Sequence, residues 1–215
     1  MIKAVAFDLD DTLVNIKEEG LIKVFKKIHK KLGIREFSEI ERLVLWLKPN
    51  RDNFVRERLD IDPKDYWKIF NKYYTIKEMK DYMSLFFDLD ALATLKERGK
   101  KIGILTSSSK DIGDYKIKLI EEKFGNIIDY SLFVREHNIP DKPDPIGLEM
   151  LMDKLNVRKD EIVLVGDSDC DILTAKNAGV TSMLVERLHN TNGIIESIPD
   201  YTLKNLYQIG CYIDN

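Results

Sequence analysis

Short apolar runs alternate with amphipathic segments along most of this chain, and that alternation restricts its fold more than any other feature. An opening run (Ile2, Ala4, Val5, Ala6, Phe7) is followed by a long stretch of helical spacing, and then the two kinds of segment take turns. Residues 89–98 read as a short helix stopped by Gly99, 101–105 (K-I-G-I-L) as a strand, 115–124 as a helix stopped by Gly125, and 130–134 as a strand. Beyond them, 145–155 reads as a helix with Pro145 near its first turn, 161–165 as a strand, and 172–178 as a helix stopped by Gly179. Residues 181–185 and 201–203 read as strands, and 204–209 as a last helix. Strands that alternate with helices build parallel βαβ units in one sheet covered on both faces. The expected fold is α/β, a doubly wound, Rossmann-like parallel sheet.

Residues 15–86 break the rhythm. Residues 18–32 read as a helix, with Leu21, Ile22, Phe25, Ile28 and Leu32 at helical spacing and Gly33 ending the pattern. Ser38 with Glu41 has the form of a capping box opening a helix over 39–47, which Lys48-Pro49-Asn50 breaks. A short helix through Phe54, Val55 and Leu59 follows. Asp62-Pro63 then starts another, carrying Tyr66, Ile69, Phe70, Tyr73 and Tyr74. No strand signal interrupts this stretch. The simplest organisation is a core made of residues 1–14 and 87–215, with residues 15–86 inserted as a separate small helical domain.

Composition excludes several functions. Among 215 residues there are 34 basic and 37 acidic side chains, a net charge of −3, which argues against a nucleic-acid binder that relies on bulk electrostatics. The two cysteines, Cys170 and Cys211, lack the spacing of a metal site, and His29, His137 and His189 are scattered, so zinc is not expected. The opening apolar run is too short for a signal peptide or a membrane span, and no other stretch approaches one. The expectation is a soluble cytoplasmic protein with no nucleic-acid or membrane partner. Residues 191–198 read as a surface loop.

Four polar clusters follow the apolar runs. The first is D-L-D-D-T, Asp8 to Thr12, where the spacing of Asp8 and Asp10 at a strand end is expected to bring both carboxylates to one side. Like charges so close repel, and a divalent cation or a cationic side chain between them would relieve the repulsion. The second is Thr106-Ser107, a hydroxyl and exposed backbone N–H groups suited to a phosphate oxygen. The third is Lys142 in P-D-K-P-D-P, a point charge on a stiff segment. The fourth is V-L-V-G-D-S-D-C-D, in which Asp167 and Asp171, four apart on an entering helix, can face the same way. A few carboxylates suffice for magnesium, which takes oxygen ligands and keeps several waters. Asp169 is read as a charge that complements the helix dipole. In a doubly wound sheet, ligands bind at the carboxyl ends of the strands, so the four clusters should converge. Taken singly, each also has a plainer reading as a polar turn, a helix cap or a surface charge.

These motifs, in this order and each after its strand, resemble the haloacid dehalogenase superfamily of phosphohydrolases. The likeness covers the whole chain, and the insert after the first motif corresponds to that family's helical cap. It points to the subgroup that includes phosphoglycolate phosphatases and sugar-phosphate or nucleotide phosphatases. The resemblance implies Asp8 as the nucleophile that becomes an aspartyl-phosphate, and Asp10 as the general acid/base. It implies Thr106, Ser107 and Lys142 as the phosphate-binding groups. Magnesium would be held by Asp8, the backbone carbonyl of Asp10 and Asp167. Asp171 stands as a ligand, a ligand through water or a support, and Thr12 as a residue ordering the turn. The implied substrate is a small phosphorylated metabolite, and the implied assembly a monomer or homodimer. A 2-haloacid dehalogenase on this fold lacks the second aspartate of the first motif, which Asp10 supplies here. A phosphosugar mutase often has glycine where Asp11 stands. A phospho-accepting signalling domain has no place for the long helical insert, and a non-catalytic module would not need the full set of motifs.

Overall fold

The computed structural model describes residues 1–49, 51–190 and 194–213. Asn50 of the expected helix break and positions 191–193 of the expected surface loop lie outside the described residues. The chain divides into two compact units, Met1–Asn15 with Leu85–Asn215, and Ile16–Ser84. In chain order the elements are β1 (Ala4–Phe7), β2 (Val14–Ile16), α1 (Glu18–Leu32), α2 (Glu39–Leu47), α3 (Arg51–Leu59), α4 (Pro63–Tyr73), α5 (Ile76–Met79) and β3 (Met83–Leu85). There follow α6 (Asp90–Glu97), β4 (Lys101–Thr106), α7 (Lys110–Phe124), β5 (Tyr130–Phe133), α8 (Ile146–Leu155), β6 (Ile162–Gly166), α9 (Asp169–Ala178), β7 (Thr181–Val185), β8 (Tyr201–Leu203) and α10 (Gly210–Ile213).

The first unit is built on a six-stranded sheet in the order β5-β4-β1-β6-β7-β8. Each neighbouring pair in it is parallel. All four residues of β1 are buried, as a central strand covered on both faces requires. One face packs Ala4, Ala6, Leu105, Leu132 and Leu164 against Leu148, Leu151 and Leu155 of α8 and Ala175 of α9. From β1 the chain moves outward to β4 and β5, then returns to the other side of β1 with β6. The strand order therefore reverses beside β1, and the carboxyl ends of β1 and β6 open onto the crevice where such sheets bind ligands.

The second unit is helical. Leu21, Val24, Phe25 and Ile28 form the buried stripe of α1, and Gly33 leaves the helix in the left-handed region at φ 68°. The capping box at α2 is formed: Glu41 N donates to Ser38 Oγ at 3.3 Å, and Ser38 N donates to Glu41 Oε2 at 2.9 Å. Asp62 caps α4 by accepting from Lys64 N at 2.8 Å, with Pro63 in the first turn. Phe25, Phe37, Phe70 and Tyr74 are among the residues in ring contact in this unit.

Several expected boundaries move. The insert is not free of strands: β2 and β3 pair in a separate two-stranded sheet. Each has three residues, too few to show a period of two. α7 starts at Lys110 rather than 115: its first turn is mostly polar in sequence and carries a Lys110–Asp114 ion pair at 2.7 Å, while Ile112 and Gly113 face inward. α9 starts at Asp169 rather than 172, behind the N-cap Ser168. The last expected helix, 204–209, is a 3₁₀ turn over Leu206–Ile209 followed by α10.

Candidate active site

β1 stops at Phe7, so Asp8 and Asp10 both lie beyond the strand. Strand pairing alone therefore does not set their directions. Asp8 is instead fixed by its backbone, whose N–H donates to Val165 O of β6 at 2.9 Å. The turn that follows is closed by Leu13 N and Val14 N donating to Leu9 O at 3.1 and 3.0 Å, and Asp11 takes the left-handed conformation at φ 53°. Aspartate tolerates that region better than most residues.

Asp8, Asp167 and Asp171 are all buried, and one carboxylate oxygen from each lies within 4.8 Å of the others. Lys142 bridges two of them: its Nζ donates to Asp8 Oδ1 and to Asp171 Oδ1, both at 2.6 Å. Its side chain is only 7% exposed, so it is not a surface lysine. Asp167 accepts from Thr12 Oγ1 at 2.6 Å on one oxygen and meets His189 Nε2 at 2.8 Å on the other. Asn190 Nδ2 donates to the Asp167 carbonyl at 2.8 Å. Asp167 precedes α9 rather than lying on it, so its approach to Asp171 is not the helical i, i+4 relation. It comes from the turn between β6 and α9, where Asp171 folds back to accept from Ser168 Oγ at 2.6 Å and Ser168 N at 3.2 Å. Asp169 does more than complement the helix dipole: it accepts from Ser197 N at 2.6 Å and Glu196 N at 3.1 Å.

Asp10 has its own partners. Lys116 Nζ donates to Oδ1, and Ser108 Oγ donates to Oδ2 at 2.6 Å. Thr106 is fully buried at the end of β4, and its hydroxyl accepts from Ser108 N at 3.1 Å. Ser107 Oγ donates to Asp141 Oδ1, which also accepts from Lys142 N at 3.0 Å. Thr106 and Ser107 thus belong to a loop tied to both Asp10 and the Lys142 segment. The turn after β1 is braced by Arg187, which donates to Thr12 O at 2.7 Å and to Asp88 at 2.9 Å.

The electrostatics follow from burial and from a shortage of positive charge. Burial pushes the Asp8 carboxyl well above its ordinary value; Lys142 opposes this, while Asp171, Asp167 and Asp10 reinforce it. Burial disfavours the charged Lys142 amine, but Asp171 and Asp8 outweigh it and hold the ammonium above its usual range. Burial also works to raise Asp10, yet the charge and hydrogen bond of Lys116, with Ser108, hold it below. For His189, burial is outweighed by Asp167 and Asp11, which raise it. One ammonium faces three carboxylates around Asp8, and the donors are all oxygens. That set fits a divalent cation such as magnesium.

Sequence reading singled out Asp8, Asp10, Thr106, Ser107, Lys142, Asp167 and Asp171, and passed over Ser108, Lys116, Asp141, His189 and Asn190. Of these, Asp141 sits inside the P-D-K-P-D-P segment, and Lys116 interrupts the apolar stripe of α7 between Ile112 and Ile120. No helix among the described residues is long and apolar enough to cross a membrane.

The family model of haloacid dehalogenase-like hydrolases matches residues 5–185. The chain belongs to that family, and it is an enzyme, a hydrolase. A Clostridium perfringens protein designated PpaX is 34% identical over 204 residues, covering 89% of this chain and 91% of that protein. The pyrophosphatase PpaX of Halalkalibacterium halodurans is 29% identical over 210 residues, covering 95% and 94%. Among solved structures, a haloacid dehalogenase-like hydrolase from Bacteroides fragilis superposes with a TM-score of 0.77 at 23% identity, covering 97% of this chain and 99% of that one.

Proposed function

We propose that this hydrolase, a phosphatase, is magnesium-dependent and cleaves a small phosphorylated metabolite through an aspartyl-phosphate on Asp8, with residues 16–84 acting as its cap domain. The observation that carries the reading is the buried group of Asp8, Asp167 and Asp171 with Lys142 bridging Asp8 and Asp171. Phosphoryl transfer needs positioning and charge neutralisation above all, and this set supplies both. The pyrophosphatase designation of the PpaX relatives makes pyrophosphate the first substrate to test.

An Asp8 oxygen attacks phosphorus in line as the bond to the leaving oxygen breaks. Asp10, in its protonated form, delivers its proton to that oxygen and becomes the carboxylate that Lys116 pairs. It then accepts one from the water that hydrolyses the aspartyl-phosphate. Thr106 and Ser107 bind the non-bridging oxygens, and Lys142 neutralises charge on Asp8 and on the phosphoryl group. Asp8, the Asp10 carbonyl and Asp167 would hold magnesium, with Asp171 supporting Lys142. When bound, the metal supplies charge neutralisation and orientation for the transferred group.

The test is phosphate release with and without magnesium over pyrophosphate, phosphoglycolate, sugar phosphates, nucleotides and phosphoserine. At least one compound should turn over. Chelator should abolish that turnover, added magnesium should restore it, and Asp8→Asn should be inactive. Full turnover in chelator, or in Asp8→Asn, overturns the proposal.

A further inference from the structure

α7 carries an anomaly. Its buried positions are Ile112, Gly113, Lys116 and Ile120, the inward stripe of an amphipathic helix, and a lysine occupies a place where an apolar side chain would pack. Gly113 lets the helix approach so closely that a β-carbon there would overlap the ring of Phe133. The Lys116 side chain is 0% exposed. Lysines are almost never fully buried unless paired, and a buried ion pair is weak support for stability compared with apolar residues of the same volume. Helix packing alone therefore gives no reason for this residue.

Its contacts give one. Lys116 Nζ donates to Asp10 Oδ1 and to Ser108 Oγ, the latter at 3.0 Å, and Ser108 Oγ donates to Asp10 Oδ2 at 2.6 Å. Each oxygen of the Asp10 carboxylate thus has its own donor, and the two donors are bonded to each other. Rotation about the last side-chain torsion of Asp10 would break at least one of these bonds. Asp10 lies in the turn after β1, not in the six-stranded sheet, where an isolated bridge joins it to Val14. Ser108 belongs to the same loop as Thr106 and Ser107, and its N–H donates to Thr106 Oγ1. The clamp therefore links the Asp10 carboxylate to the loop assigned to the phosphate.

We propose that Lys116 is a positioning residue, which with Ser108 pins the carboxylate of Asp10 in the orientation that meets the leaving-group oxygen and, later, the hydrolytic water. This rests on the assignment of Asp10 as the acid/base group. A carboxylate free to rotate spends most of its time away from the reacting oxygen, and losing that orientation lowers the chemical step rather than substrate binding.

The experiment measures steady-state kinetics of phosphate release, with the substrate found in the panel above, for Lys116→Met, Ser108→Ala, Asp10→Asn and Lys116→Met/Asp10→Asn, each shown folded by circular dichroism. Methionine keeps the length and apolar character of the lysine stem while removing the donor. Lys116→Met should lower kcat about 10- to 100-fold, with KM changed by less than about threefold. Ser108→Ala should lower kcat by a smaller factor in the same way, and it tests the clamp if Lys116→Met does not fold. In the Asp10→Asn background Lys116→Met should cost nothing further, since the group it holds is gone. A purely structural lysine would lower activity by the same factor in both backgrounds. Normal kcat in Lys116→Met, or in Ser108→Ala, overturns the proposal, as does a loss that multiplies in the Asp10→Asn background. Inactive Asp10→Asn beside normal Lys116→Met removes Lys116 alone; fully active Asp10→Asn removes the acid/base assignment and the proposal with it.

Discussion

Gly166 ends β6 one residue before Asp167, and a β-carbon built on it would overlap Cβ, Cγ and Oδ2 of Asp171. Gly166→Ala therefore perturbs the carboxylate cluster without altering any charged residue. To restore ordinary van der Waals separation the Asp171 side chain must move by about 1 Å. Three hydrogen bonds oppose that movement: Lys142 Nζ at 2.6 Å, Ser168 Oγ at 2.6 Å and Ser168 N at 3.2 Å. Overpacking costs about 1–3 kcal/mol, and a lost charge-assisted hydrogen bond about 1.5–3 kcal/mol. With partial relaxation, the expected destabilisation is about 2–4 kcal/mol, or roughly 4–16 °C in melting temperature for a chain of this size. Displacing Asp171 also releases Lys142 from one of its two anchors, and a misplacement of about 1 Å lowers kcat roughly 100-fold. Thermal melts and phosphate release measure the two effects. In a double variant with Asp171→Gly, which removes the Cβ as well as the carboxylate, the clash with this side chain disappears, so the stability losses should be far from additive. A Gly166→Ala protein that melts within about 1 °C of the parent and keeps its kcat would refute the reasoning.

Thr12→Val removes the hydroxyl that donates to Asp167 at 2.6 Å while keeping the shape of the side chain. The magnesium concentration for half-maximal turnover should rise about 10-fold or more, read from a metal titration of phosphate release. Ser38→Ala removes the N-cap of α2 and should cost about 1 kcal/mol, measured by chemical denaturation. The Arg35 hydrogen bond, against the opposing effect of burial and with help from Ser38, holds the Glu41 carboxyl down to about 2 against an ordinary 4.5. A depressed carboxyl contributes its stabilisation above the ordinary value and loses it as the pH falls through the lowered one. The stability difference between the parent and Glu41→Gln should therefore be full above about pH 5 and shrink toward pH 2. A difference that stays constant across that window would contradict the assignment.

The elements legible in the sequence are those whose signal is local. α1 and α2 appear with the expected bounds because their caps and apolar spacing lie within the segments themselves. β1, β4 and β6 are legible because an apolar run that ends in a polar cluster describes a buried strand meeting a loop. β2 and β3 were not legible because three residues cannot display a pattern, and their pairing joins positions about seventy residues apart. The starts of α7 and α9 were hidden by first turns rich in polar residues, which look like loop in the sequence.

The sequence by itself determined the succession of strands and helices, the place of the insert and the polar residues that follow each strand. Those depend on hydrophobic periodicity and turn chemistry, which act over a few residues. Only the tertiary structure decided which charge meets which. Thr12 reaches Asp167 across 155 positions, Lys142 reaches Asp8 across 134, and Lys116 reaches Asp10 across 106. A carboxylate is hydrophilic to any local measure, whether it lies in water or in a buried ion pair. What separates the two cases is the desolvation imposed by a sheet closing around it and the partner that packing brings within hydrogen-bond reach.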